Sequence, residues 1–192
     1  MYAQAGHHEI VVTGIHVGRY GLDLSENCNI VGLLDRLCQK FPSIRFRLSS
    51  IEPLEISREL LELISQVDNL MPHLHIPLQS GDNQILKRMN RRYTREQFRE
   101  VVDTCRAAVP DAAIGFDVMV GFPGETDSMF ENSRKLIDST DCTYLHVFPF
   151  SKRPGTKAAE FDDHVAPDIK QQRVEILRSL GREKSSAFYR RY

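Results

Sequence analysis

Two segments of this sequence place polar side chains directly behind short apolar runs: HLHIPLQSG at 73–81 and DVMVGFPGET at 117–126. Gln79 and Ser80 offer an amide and a hydroxyl at a strand end, a pairing suited to a ribose or another neutral polar ligand. Asp117 lies inside an apolar run, where aspartate is depleted. Alternation sets it on the face of Met119 and Gly121, where a buried carboxylate must be paired or bound to a ligand. The turn GFPGET (121–126) is glycine-rich and precedes a helix, which raises the possibility of a phosphate loop. That reading fails, because a Walker motif needs a lysine after its second glycine and Glu125 stands there instead. The three-glycine dinucleotide fingerprint is absent as well. What remains is a backbone able to come close to a ligand, with Glu125 and Thr126 at the helix start. His73 and His75 share a strand face and could pair on a metal. Without a third ligand in the same segment they read better as packing and hydrogen-bonding groups. His16 and His146 carry weaker signals.

A different chemistry is written in KRMNRRYTREQFR (87–99), which holds six basic residues and one acid beside Tyr93, in a chain whose net charge is −1. Such a segment can track a phosphate backbone with an aromatic platform alongside. Lys87, Arg88, Arg91 and Arg92 are its candidate nucleic-acid contacts. Cys28, Cys38, Cys105 and Cys142 are dispersed, with no metal- or cluster-type spacing. They read as free thiols in a reducing compartment, Cys38 and Cys105 serving as small hydrophobes on helical stripes.

The elements that must position these groups alternate. Residues 9–14 read as a strand, and Leu33, Leu34, Leu37, Cys38 and Phe41 as a helix closed by Pro42. Residues 44–48 alternate with period two, and Leu60, Leu61, Ile64, Val67 and Leu70 mark a second helix. His73 to Ile76 form a strand that Pro77 is expected to end. Thr94 and Gln97 make a capping box for a helix carrying Phe98, Val101, Val102 and Cys105. Strands at 112–120 and 143–148 flank a helix at 127–138. Pro167 occupies a first helical position, opening a long charged helix. At 192 residues and 41% apolar composition the chain can bury one substantial core. Strict β-α alternation calls for a mostly parallel sheet, as an open sheet or part of a barrel, with ligands at the carboxyl ends of its strands. No run approaches the length of a membrane span, which favours a soluble, cytoplasmic protein. The abrupt start within a strand suggests a piece of a longer protein. The exposed edge of Glu9 to Thr13, rich in β-branched residues, is expected to promote self-association.

Five stretches, EIVVTGIHVGRYG, RFRLSSIEP, HLHIPLQSGDNQILKRMNRRYTREQF, IGFDVMVGFPGET and HVFPFSKRPGT, span residues 9–156. In that order they resemble the radical S-adenosylmethionine methylthiotransferases, which add a methylthio group to tRNA adenosines or to a ribosomal protein. SKRPGTKAA is most similar to the subgroup acting on N6-threonylcarbamoyladenosine next to the anticodon. The resemblance implies an α/β fold, an incomplete (β/α)6 TIM-like barrel of which this chain holds units two to six, with a parallel sheet and outer helices. It implies S-adenosylmethionine as cofactor. It also implies two [4Fe–4S] clusters in the full-length family, whose ligands lie outside this sequence, so that the 192 residues alone should bind no cluster and be inactive.

The same resemblance assigns Gly14, Ser50, Glu52, Gln79, Ser80, Asp117, Val120, Gly121, Phe148, Pro149 and Phe150 to the cofactor, with Asp117 also catalytic. Gly14 lies in the loop near the methionine amino group, Gln79 and Ser80 contact the ribose, and Phe148 to Phe150 lie beside the adenine. In the complete enzyme a 5′-deoxyadenosyl radical takes hydrogen from C2 of the substrate adenine, and an auxiliary cluster delivers sulfur. A tRNA is the expected partner. Two other readings stand beside this one: methylthiolation of a ribosomal-protein aspartate, and a non-catalytic barrel fragment that binds a nucleotide or RNA.

Overall fold

Parallel pairing is set by sequence from the first strand onward. In the computed structural model, which describes residues 5–24 and 28–191, there are five strands and six α-helices, and the five strands and five of the helices follow one another in the expected order. The chain forms two compact units. One holds the residues up to Ile76 together with Thr104–Ala113; the other holds Pro77–Asp103 and the residues from Ile114 onward.

In the first unit, β1 (Glu9–Val12) lies parallel to β2 (Arg45–Leu48), with Ile10 opposite Phe46 and Val12 opposite Leu48. The crossover between them is α1 (Ile30–Lys40), since parallel neighbours cannot be joined by a tight turn. Asn29 caps α1 by accepting the Gly32 amide at 2.8 Å. Ile30, Leu34 and Cys38, spaced four apart, form its buried stripe. The Asn69 amide reaches the carbonyls of Cys38, Phe41 and Ile44 at 3.0–3.2 Å, covering acceptors that the end of α1 leaves open. Ser57 caps α2 (Arg58–Gln66), which buries Leu60, Leu61 and Ile64. Parallel bridges at Phe46–Leu70 and Ser50–His75 carry the ladder on to the first residues of β3 (His73–Gln79).

Pro77 does not end β3, contrary to the sequence expectation. The strand runs through it to Gln79. The last bridge on the β2 side falls at His75, so Pro77, two residues on and facing the same way, lacks an N–H where no acceptor needs one.

In the second unit the sheet order is β3-β4-β5. β4 (Ala113–Val120) and β5 (Tyr144–Pro149) are parallel, from Gly115 opposite Tyr144 to Val120 opposite Pro149. Ile114, Phe116, Val118 and Val120 are buried, and the alternate residues Asp117 and Met119 are partly open. Tyr144 lies over Gly115, where a side chain would overlap its ring. Thr126 caps the crossover helix α5 (Asp127–Ser139) through the Met129 amide. The expected capping box starts α4 (Arg95–Ala108): the Thr94 amide donates to Gln97 Oε1 at 2.9 Å and the Gln97 amide to Thr94 Oγ1 at 3.3 Å. A short helix unforeseen in the sequence, α3 (Asn83–Arg88), is capped by Asp82. Pro167 opens α6 (Pro167–Tyr189), which packs along β5 with Gly181 against the Leu145 side chain. Among the described residues no helix is long and apolar enough to cross a membrane.

Phe98 and Phe116, both fully buried, meet edge to face with ring centroids 4.9 Å apart. Replacing Phe98 with Ala removes this contact and leaves a cavity, and is expected to destabilise the chain by about 3–5 kcal/mol. The measurement is the shift in urea midpoint at constant slope.

Candidate functional site

The residues singled out in the sequence divide between the two units. In the first, Gly14 is exposed just after β1, and Ser50 and Glu52 follow β2. Ser50 is held at its bridge to His75, and Ile51 donates to the His75 carbonyl at 3.0 Å. Glu52, half-buried, precedes a 3-10 turn at Pro53–Glu55. All three therefore occupy carboxyl ends of strands, as the fold rule requires.

The remaining candidates lie in the second unit, and the ends of β4 and β5 bring most of them together. Asp117 and His146 are cross-strand partners in register, with Oδ1 and Nδ1 3.3 Å apart. Tyr144, His146 and Phe148 form a row of rings along β5, with centroids 5.2 and 6.4 Å apart. Phe148 is half exposed. Phe150 is buried, its ring edge-on to Phe122 and stacked on His164, and its amide donates to the Val120 carbonyl at 2.8 Å. Val120 and Phe150 are thus packed inside, while Asp117 is half-buried beside His146 and Phe148 is half exposed. Pro149, opposite Val120, is exposed.

Gly121 turns with φ 70°, a left-handed conformation, and a side chain there would also strike the Lys170 stem. Its amide donates to Glu125 Oε1 at 3.1 Å. Glu125 therefore folds back over its own turn, and Thr126 alone caps the helix. Arg173 of α6 closes the arrangement. One guanidinium nitrogen donates to Glu125 Oε1 at 2.6 Å and to the Glu125 carbonyl at 3.1 Å; the other meets Asp127 at 2.7 Å. Both Arg173 and Glu125 are buried, and burial raises the Glu125 carboxyl above its ordinary range. Lys170, one turn before Arg173, donates to the Phe150 carbonyl at 3.2 Å.

Gln79 sits at the centre of a γ-turn: its φ is 62° and the Ser80 amide donates to the Leu78 carbonyl at 2.7 Å. Its side chain is half-buried, while the Ser80 hydroxyl is wholly buried and committed within the protein. That hydroxyl accepts from the Asp82 amide at 3.2 Å and lies 3.4 Å from Ser133 Oγ, which itself accepts the Gly81 amide. Ser80 therefore shapes the turn that presents Gln79, rather than offering a group to solvent.

The basic segment differs from the expected loop with a stacking ring. Lys87 and Arg88 end α3, Asn90 turns the chain with φ 58°, and α4 begins at Arg95. Tyr93 is buried and its hydroxyl donates to the Pro77 carbonyl at 2.7 Å, so it is no platform. The α4 stripe of Phe98 and Val102 needs a neighbour at the helix start, and Tyr93 fills that place, 6.3 Å from the Phe98 ring. Arg88 pairs with Asp163 at 2.9 Å and lies over the Phe161 ring. Arg91 is half-buried; Lys87 and Arg92 remain exposed.

Sequence reasoning missed Arg173 and ranked His146 low. Arg173 shares a helical stripe with Val174, Leu177 and Gly181, the buried face of α6, and that periodicity was the available signal. His146 was detectable only through the β4–β5 register. Of the cysteines, burial pushes the Cys38 thiol up and the Cys105 thiol to about 12, and Cys142 is buried. Cys38 lies on α1, Cys105 on α4 and Cys142 just before β5, each packed on a separate element.

Residues 3–137 match the radical SAM superfamily. The chain belongs to it. Two solved members share the fold. One is coproporphyrinogen III oxidase from Escherichia coli, with TM-score 0.65 and 16% identity, covering 80% of this chain and 37% of that one. The other is the methyltransferase TsrM from Kitasatospora setae, with TM-score 0.64 and 15% identity, covering 82% of this chain and 31% of that one. The radical SAM chain described here is 44% identical, over 97% of its length and 44% of the relative's, to a threonylcarbamoyladenosine tRNA methylthiotransferase of Rickettsia prowazekii. It is 42% identical to the Bacillus subtilis protein of the same name, over 98% of its length and 42% of that protein's. A tRNA-2-methylthio-N(6)-dimethylallyladenosine synthase of Thermoanaerobacter pseudethanolicus is 40% identical over 93% of this chain and 38% of its own. The chain spans less than half the length of these curated relatives.

Arg173→Ala leaves the Glu125 carboxylate buried without its cation, and is expected to destabilise the chain by about 3–5 kcal/mol. A Glu125→Leu/Arg173→Met double variant should recover most of that loss, which urea denaturation of both variants measures. A pH effect comes from His73, whose pKa burial lowers to about 4 from 6.5. The unfolded chain binds the proton first, so stability is full above pH 6.5 and falls as pH drops from 6.5 towards 4. His73→Leu should flatten the unfolding profile in that window, as followed by denaturant midpoints at successive pH values.

Proposed function

We propose that this chain is the S-adenosylmethionine-binding core of a cytoplasmic methylthiotransferase that adds a methylthio group to C2 of N6-threonylcarbamoyladenosine in tRNA. The observation that carries the reading is 44% identity, across 97% of the chain, to a relative named for that reaction. The rim residues are compatible with the cofactor. Asp117 and Gln79 offer a carboxylate and an amide, and Phe148 offers a ring face to an adenine. When bound beside a reduced iron–sulfur cluster, S-adenosylmethionine supplies radical chemistry. The chain's own share is to bind, orient and exclude water. Asp117, fixed by His146, holds a polar group of the ligand on the β4 face, while Val120 and Phe150 close the apolar wall behind it. The cysteines here have no cluster-type spacing, and the reading assigns the cluster ligands to other sequence of a full-length protein.

Mass spectrometry of tRNA nucleosides from a strain lacking the full-length gene is expected to show loss of the 2-methylthio form of threonylcarbamoyladenosine and accumulation of its precursor. Unchanged nucleosides would refute the reading. In calorimetry the 192-residue chain should bind S-adenosylmethionine weakly, and Asp117→Asn should weaken it by about a further tenfold, the loss of one charge-assisted hydrogen bond.

Self-association through the edge of β1 is a further part of the proposal. Among the described residues β1 pairs only with β2, and Val11 is half exposed. Light scattering should show oligomers at high protein concentration, reduced by Val11→Lys.

A further inference from the structure

We propose that the loop at residues 151–157, and not the basic segment at 87–92, is the principal contact for the phosphate backbone of the RNA substrate. The inference rests on the tRNA reading above and names the surface through which it would operate. The loop follows directly on β5, at the carboxyl end where parallel α/β folds place their ligands. Lys152, Arg153 and Lys157 are all exposed. None of the three forms an ion pair among the described residues, although Glu160 and Asp162 follow closely in sequence.

The loop is also built. Gly155 turns with φ 78°, and Thr156 folds back so that its hydroxyl and amide both donate to the Arg153 carbonyl, at 2.8 and 3.2 Å. Three cations are thus held on one short turn, where they repel one another and gain from any polyanion that releases its counterions to them. The 87–92 segment keeps two exposed cations, Lys87 and Arg92, against three on the loop. Arg88 is paired with Asp163 and lies over the Phe161 ring, Arg91 is half-buried, and Tyr93 faces inward. In a chain with net charge −1, the unneutralised loop after β5 is the local patch that a phosphate backbone requires.

The test is fluorescence anisotropy of the full 192-residue chain with a labelled RNA hairpin whose loop contains adenosine, across a potassium chloride series. A Lys152→Gln/Arg153→Gln/Lys157→Gln variant is compared with Lys87→Gln/Arg92→Gln, and unfolding midpoints check that both fold. The triple variant is expected to lower the slope of log affinity against log salt by about two to three, with at least about a tenfold loss at low salt. The double variant should change the slope less. An unaltered slope in the triple variant, or a larger loss in the double, overturns the proposal and leaves the tRNA reading standing. Salt-independent or undetectable binding by the unmodified chain overturns the proposal and counts against the tRNA reading too.

Discussion

The buried guanidinium of Arg173 is the constraint on which the second unit depends. It lies on the inner stripe of α6 and meets the Glu125 carboxylate and carbonyl as well as Asp127. An arginine buried to this degree is tolerable only when its donors are matched, and here they are matched by the turn joining β4 to α5. The same carboxylate takes the amide of Gly121, so the path of the backbone at the end of β4 is set by a residue more than fifty positions later. Lys170, on the same helix, repeats the device at the end of β5 through the Phe150 carbonyl. A helix outside the sheet thereby fixes two neighbouring strand ends.

Rigid strand ends matter because the groups on them are few. Asp117 and His146 meet only because β4 and β5 run parallel and in a register that sets them side by side. A slip of one residue would turn Asp117 to the packed face and Val118 to the open one. Glycine at 115 allows the Tyr144 ring to lie across the sheet next to His146. The polar pair and the ring row are therefore products of register and of one missing side chain, more than of any local motif.

Much of this was legible in the sequence. Strand and helix order, the capping box at Thr94 and Gln97, the role of Pro167 and the parallel arrangement all follow from local rules that the structure obeys. The failures share a physical cause. Pro77 reads as a terminator only if its missing donor matters, and whether it does depends on where the neighbouring ladder stops. Tyr93 reads as an exposed platform until the Pro77 carbonyl, sixteen positions back, takes its hydroxyl. Ser80 reads as a ligand group until Ser133, fifty-three positions away, takes up its hydroxyl. Each depends on a partner distant in sequence, which local patterns do not contain. Ser50, Glu52 and Gln79 were placed at strand ends, and Asp117 within its strand, correctly, because that placement needs only the β-α rhythm.

Gln79 carries a consequence of its own. A non-glycine residue at the centre of a γ-turn with positive φ sits about 1 kcal/mol or more above a relaxed backbone. Glycine would remove that strain but also the amide, whereas any other side chain would keep the strain and change the group presented. Under the cofactor role proposed for Gln79, thermal robustness and molecular recognition pull in opposite directions at this position. A search for more heat-resistant forms of this fold by random substitution would be drawn to residue 79, and under that role its gains there would be made at the expense of the chemistry.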